Sequence, residues 1–187
     1  MQDGNDMGPF YMGRDPSERG NVIRYNSWHD SATKNMTFGL YFDDSGGDDS
    51  QVYGNVFRNV GNEGTVFMAG GSDFFVQNNL FIGCRWPIRT EGFRSGVLGF
   101  AKKRLPAVNY TGEIWAKRYP DFVTYFKNKH PNNPGMVKAK NLILKVDDPR
   151  LVDPKNGDFR LKPDADTGIA DWKAIPFEQM GLLKKQP

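Results

Sequence analysis

Four residues of this chain have types and spacing that can do chemistry together: Arg14, Asp15, Asp43 and Asp44. They end two similar phrases, Pro9-Phe10-Tyr11-Met12-Gly13-Arg14 and Gly39-Leu40-Tyr41-Phe42-Asp43-Asp44; a third, Gly64-Thr65-Val66-Phe67-Met68-Ala69, follows the second at 64 − 39 = 25 residues. If the phrases stack as written, Gly13 and Arg14 lie over Asp43 and Asp44, with Met68 and Ala69 beneath. Paired carboxylates beside an arginine can do acid/base work on a glycosidic bond, their separation deciding inversion or retention. Side chains alternate along a strand, so only one of the two aspartates faces a groove. A core Phe42 selects Asp43; an outward Phe42 selects Asp44. The competing reading gives these aspartates a turn-stabilising role. His29, which follows the aromatic Trp28 and precedes Asp30, is a further candidate acid/base or sugar-binding group beside an ordinary surface reading.

The stretch Asp43-Asp44-Ser45-Gly46-Gly47-Asp48-Asp49-Ser50 is rich in oxygen ligands. It lacks EF-hand spacing, so calcium is a weak expectation beside a solvated turn, and no other cofactor is implied. Trp86, Trp115 and Tyr119 can stack on sugar rings or anchor the segment that carries them. Lys102, Lys103, Arg104, Lys117 and Arg118 can hold an anionic polysaccharide such as a uronic-acid polymer. Asp15, Trp86, Lys102 and Arg104 are therefore the candidate substrate-binding set. No nucleic-acid motif is present, and nucleic acid is not expected as a partner.

The elements that must position these residues follow from a repeat. Asn26-Ser27-Trp28, Asn55-Val56-Phe57 and Asn79-Leu80-Phe81 open near-copies of one phrase, spaced 55 − 26 = 29 and 79 − 55 = 24 residues. Short aromatic and β-branched runs separated by Gly, Asn, Asp and Ser are strand and turn signals. A period near 25 with two or three strands predicts an all-β parallel solenoid, each coil lying about 4.8 Å from the next. Asn26, Asn55 and Asn79 then stack as a structural ladder, and Trp28, Phe57 and Phe81 as an inward aromatic one. Leucine-rich repeats require Leu where this chain has Phe, Val, Tyr and Trp, and a propeller blade needs about 40 residues or more.

The next such phrase, Asn141-Leu142-Ile143-Leu144, comes 141 − 79 = 62 residues on. One coil fills part of that distance, and the rest reads as an insertion. The expected organisation is coils over 1–85, an insertion with short helices over 86–135, and a last coil with a capping segment over 136–187. Thr111 to Lys117 and Pro120 to Lys129 are the helical candidates, and an insertion of this kind walls or covers a binding face. His130 reads as a loop residue. Asp148 to Pro163 reads as two strands around an Asn-Gly turn, and Ile175 to Leu182 as apolar packing for the last coil. No matching cap is visible at the N-terminal end. The chain is therefore expected to be a C-terminal piece of a longer solenoid, or to self-associate through that coil.

The 187 residues suit one domain. Residues 1–100 hold 8 Lys and Arg against 12 Asp and Glu; the remainder holds 17 against 10, so an acidic repeat region precedes a basic half. No apolar run is long enough for a membrane helix, no membrane partner is expected, and the polar start is no signal peptide. Cys84 alone makes no disulfide and reads as a core filler.

Tyr11-Met12-Gly13-Arg14-Asp15-Pro16-Ser17-Glu18-Arg19-Gly20-Asn21, Tyr41-Phe42-Asp43-Asp44, Gly54-Asn55-Val56-Phe57 and Asn78-Asn79-Leu80-Phe81 resemble bacterial right-handed parallel β-helix proteins of the pectate-lyase-like superfamily. Asp153 to Pro163 and Ile175-Pro176-Phe177 are similar to the C-terminal ends of the same group. The resemblance covers most of the chain outside the insertion and implies a right-handed parallel β-helix. It also implies an extracellular or periplasmic protein that degrades or binds polysaccharide, as a glycoside hydrolase, a polysaccharide lyase or a non-catalytic glycan-binding solenoid. The calcium carboxylates and arginine base of the pectate lyases have no residue-by-residue counterpart here.

Overall fold

A computed structural model describes residues 4–31, 34–92, 95–127 and 135–180. The chain turns through four circuits of three strands. These are β1 (Phe10–Gly13), β2 (Val22–Arg24) and β3 (Ser27–His29); β4 (Phe38–Asp43), β5 (Gln51–Tyr53) and β6 (Val56–Arg58); β7 (Gly64–Ala69), β8 (Phe75–Gln77) and β9 (Leu80–Ile82); and β10 (Ile88–Glu91), β11 (Val137–Ala139) and β12 (Leu142–Leu144). Each strand pairs in parallel with the strand three places on, building the sheets β1-β4-β7-β10, β2-β5-β8-β11 and β3-β6-β9-β12. The all-β parallel class expected from the repeat is what the chain adopts.

Like positions stack because the register is constant. Phe10, Leu40, Val66 and Ile88 form one inward column, and Met12, Phe42 and Met68 another. Ile23, Val52 and Val76 line the second sheet. Trp28, Phe57 and Phe81 line the third, with rings nearly parallel at 6.5 and 5.0 Å. The asparagines stack at the corner between the second and third sheets. Nδ2 of Asn26 donates to Oδ1 of Asn55 at 3.1 Å, Asn55 to Asn79 at 3.1 Å, and Asn79 to Asn141 at 3.0 Å. Each oxygen also accepts from the backbone amide of the preceding asparagine. The corner residues Tyr25, Gly54, Asn78 and Lys140 all take left-handed backbone angles, and the next residue is then aimed inward.

Three boundaries differ from expectation. The circuits run on through β10, so the insertion leaves the sheets after Glu91 rather than at Trp86. The insertion holds α1 (Ser95–Arg104) and α2 (Glu113–Arg118). The first was not expected, because Gly96 and Gly99 depress helix propensity. The second begins after Gly112 in extended conformation instead of at Thr111. The stretch from Pro120 forms only a 3-10 turn, Phe122–Thr124, since its aromatic and β-branched residues are weak helix formers. Lys129, His130 and Leu182 lie outside the described residues.

β13 (Leu151–Asp153) and β14 (Asp158–Leu161) form the expected antiparallel pair. This C-terminal segment clads a side of the circuits. Leu151 and Ile175 pack with Val56, Leu80, Ile82, Leu142 and Leu144, the outward residues of the third sheet. Ile143, at the inward position below Phe81, stays 58% exposed. Where this segment covers it, over β9 and β12, the third sheet is thus apolar on both faces, whereas Ser27, His29 and Arg58 give its other end a polar outer face.

Candidate functional site

The outward face of the first sheet carries two columns. One runs Tyr11, Tyr41, Phe67, Arg89; the other runs Gly13, Asp43 and then, by continuing the register, Ala69 and Glu91. Phe42 is fully buried, so alternation turns Asp43 outward. Asp44 reaches the same groove because the strand ends at Asp43 and Asp44 takes a left-handed angle (φ 47°), which breaks the alternation. The one-aspartate expectation is corrected on this point. The groove, about 200 Å³, is lined by five carboxylates (Asp6, Asp43, Asp44, Glu63, Glu91) and two arginines (Arg14, Arg89), over a floor of Phe38, Tyr41 and Phe67.

Each charged group is held. Tyr11 Oη donates to Asp43 Oδ2 at 2.9 Å, and Tyr41 Oη to Asp6 Oδ1 at 3.0 Å. Arg14 Nε meets Asp44 Oδ2 at 3.3 Å. Arg89 forks between Glu63 Oε2 at 2.7 Å and Glu91 Oε1 at 3.0 Å, with its guanidinium 5.3 Å from the Phe67 ring centre. Burial, then the Asp43 hydrogen bond, pushes the Tyr11 phenol up to about 12. Burial, then the field of Asp43, raises the Tyr41 phenol further. Both remain hydrogen-bond donors at any physiological pH. Asp43 and Glu91 stand two strands apart, roughly 9.6 Å along the sheet, with the small Ala69 between them.

The insertion docks beside the groove, on the turns between the first and second sheets. Phe100 of α1 stacks on Arg14 at 5.5 Å, and Arg104 approaches Asp15 at 3.8 Å. Deeper in, Arg19 pairs with the fully buried Asp48 at 3.1 Å and reaches Asp73 at 3.7 Å. Its guanidinium lies 4.5 Å from the Phe122 ring centre and 5.4 Å from that of Tyr119. Ser72 donates its amide to Asp48 at 3.1 Å. Burial pushes the Asp48 carboxyl up to about 7 against the pull of Arg19 and Ser72.

The other expected site residues do not gather in the groove. Asp15 accepts from the amide and hydroxyl of Ser17 at 3.0 and 2.6 Å, a turn cap. His29 lies on β3, in the third sheet, with Nδ1 at 3.2 Å from Asp30; Arg58 also binds Asp30. Against a burial cost, His29 and Arg58 together hold the Asp30 carboxyl below its ordinary range. Trp86 is half exposed beside Arg85, and Lys102 is exposed on α1; neither lines the groove. Trp115 and Tyr119 belong to the insertion's own core with Phe122, and Tyr119 also faces Arg19 of the circuits. The oxygen-rich stretch after Asp43 does not converge on one point. Asp43 faces Tyr11, Asp44 faces Arg14, Asp48 faces Arg19, and Ser50 Oγ donates to the Gly47 carbonyl.

Asp6, Glu63, Arg89 and Glu91 escaped the sequence reading. A signal existed for the last two: Ile88-Arg89-Thr90-Glu91 continues the strand phrase one circuit below Val66-Phe67-Met68-Ala69. Compared with known proteins, the chain matches no family model, no curated sequence and no solved structure.

Proposed function

We propose that this protein is a carbohydrate-active enzyme that hydrolyses a glycosidic bond in the groove of the first sheet. The observation carrying this reading is the placement of Asp43 and Glu91 on either side of Ala69, one bonded by Tyr11 and the other by Arg89. Their backbones lie roughly 9.6 Å apart, at the upper end of the roughly 6.5–9.5 Å between the carboxyl groups of inverting enzymes, a spacing that leaves room for a water. Asp43 and Glu91 take the acid and base roles. Phe67 and Tyr41 are buried and form the apolar floor beneath the charged groups, and Arg14 and Asp44 close the end beside α1. Five carboxylates against two arginines suit a neutral or cationic glycan in this groove better than an anionic one.

Four circuits of three parallel strands support reading the fold as a parallel β-helix, and by resemblance we take it as right-handed, of the pectate-lyase-like kind, with an extracellular or periplasmic setting. A glycan-binding solenoid without turnover is the second reading. It is favoured by the engagement of Asp44, Glu63 and Glu91 with arginines. A cleavage assay over a panel of neutral, amino and acidic polysaccharides separates the two. Hydrolysis with inverted anomeric configuration, lost in Asp43→Asn and Glu91→Gln, supports the enzyme. Binding without cleavage across the panel sinks it, and an unsaturated product would identify a lyase instead.

A further inference from the structure

A second recess, about 480 Å³, lies on the outward face of the second sheet, away from the groove. Its floor is Gln51, Tyr53 and Gln77, from β5 and β8. One wall is the corner bearing Tyr25; the other is the C-terminal stretch at Lys173. That wall is fixed by a reciprocal pair of hydrogen bonds. Asn78 Nδ2 donates to the Lys173 carbonyl at 2.9 Å, and the Lys173 amide donates to Asn78 Oδ1 at 2.9 Å. Lys140 pairs with Asp171 at 3.2 Å and braces the same stretch. The Tyr25 ring is placed by Gly54, where a Cβ would come within 2.5 Å of it; it packs edge-on against Tyr53 at 5.8 Å and stays 42% exposed.

The walls are rigid, but the polar groups between them are idle. Among the described residues, the side-chain amides of Gln51 and Gln77 and the ammonium of Lys173 make no hydrogen bond or ion pair to protein, and the Tyr53 hydroxyl only accepts, from Arg24 at 2.9 Å. Amides that donate and accept, the part-exposed Tyr25 ring and one unpaired cation are what a hydroxyl-rich ring with an anionic substituent requires. The charge balance is opposite to that of the groove: Lys140 and Lys173 against Asp171 here, five carboxylates against two arginines there.

We propose that this recess is a second, non-catalytic binding site for a short acidic saccharide. A ring packs on Tyr25, ring hydroxyls meet Gln51 and Gln77, and a carboxylate meets Lys173. The choice of a saccharide rests on the carbohydrate reading of the groove; the geometry of the recess does not. An accessory site of this kind would hold an acidic segment of a heteropolysaccharide while a neutral segment occupies the groove.

The test is titration calorimetry with a β-1,4-linked glucuronic trisaccharide and its neutral glucose counterpart, alongside side-chain amide NMR of the wild-type chain. The acidic trisaccharide is expected to bind and to shift the Gln51 and Gln77 amide signals. Tyr25→Ala and Lys173→Ala should each weaken it tenfold or more, while Asp43→Asn leaves its affinity unchanged. Equal affinity for the neutral sugar overturns the role of Lys173. Binding that Asp43→Asn abolishes and Tyr25→Ala spares overturns the recess and leaves the groove. No binding and no amide shift likewise overturns the recess. Recess binding in a protein that cleaves no glycan overturns the groove reading and leaves the recess standing. The NMR readout needs no variant, so a misfolded mutant cannot blunt the test.

Discussion

The Tyr11 hydroxyl donates to Asp43 Oδ2 at 2.9 Å, from one strand to its neighbour on the open face of the first sheet. The phenol is pushed up to about 12, so it stays protonated and able to donate across the neutral range. Tyr11→Phe is expected to lower turnover of a cleaved glycan by about tenfold, less than the roughly 10²–10⁴-fold of a general acid or base itself, because Tyr11 positions Asp43 and transfers no proton. Unfolding stability should change by less than about 1 kcal/mol, as for one exposed hydrogen bond. Kinetics with urea unfolding checks both, and an absorbance titration of phenolate should lose one late-ionising tyrosine.

Asp48 makes stability depend on pH. Its folded pKa is raised to about 7 from an ordinary 3.8. An acid raised on folding binds a proton more readily in the folded state, so the folded state gains as pH falls from about 7 towards 4 and loses as pH rises through 7. Arg19 keeps Asp73 and two aromatic rings as partners when Asp48 is neutral. Chemical unfolding at pH 5 and pH 8 should show the wild type more stable at pH 5 in this respect, and Asp48→Asn should flatten the difference.

The asparagine ladder is a stability element. Asn55 is fully buried, donates to the carbonyls of Ile23 and Tyr53, and accepts from Asn26. Asn55→Ala leaves these groups without partners and should cost about 2–4 kcal/mol. Asn26→Ala, at the exposed end of the stack, should cost less. Urea midpoints of the two variants give the comparison.

Leu151 tests the cladding of the third sheet. It is 1% exposed among Leu80, Ile82, Leu142 and Leu144. Leu151→Ala should cost about 2–5 kcal/mol. Hydrogen exchange should rise first in β13 and β14, with β5 and β8 protected. Uniform loss of protection would show that the C-terminal segment and the circuits unfold as one unit.

The repeat was legible because stacking is a local rule repeated. A side chain that must meet its own kind one circuit away recurs in the sequence, as Asn26, Asn55, Asn79 and Asn141 do, and as Trp28, Phe57 and Phe81 do. The outward turn of Asp43 followed from the same rule once Phe42 was placed in the core. Leu80-Phe81-Ile82, apolar without alternation, carries the signal of a strand covered on both faces, which the sequence reading did not use. What covers it, the segment around Leu151 and Ile175, depends on a long-range contact with no periodic signature. The same holds for the groove. Glu91 joins Asp43 only because β10 pairs beside β7 before the insertion begins, and Asp48 is buried only because Phe122 and Tyr119 fold back over Arg19. Sequence alone set which residues stack and, within the strands, which way they point; Asp44, past the end of β4, turned into the groove against that rule. The tertiary structure decided which outward faces stay open, because covering a face depends on distant segments that no repeat records.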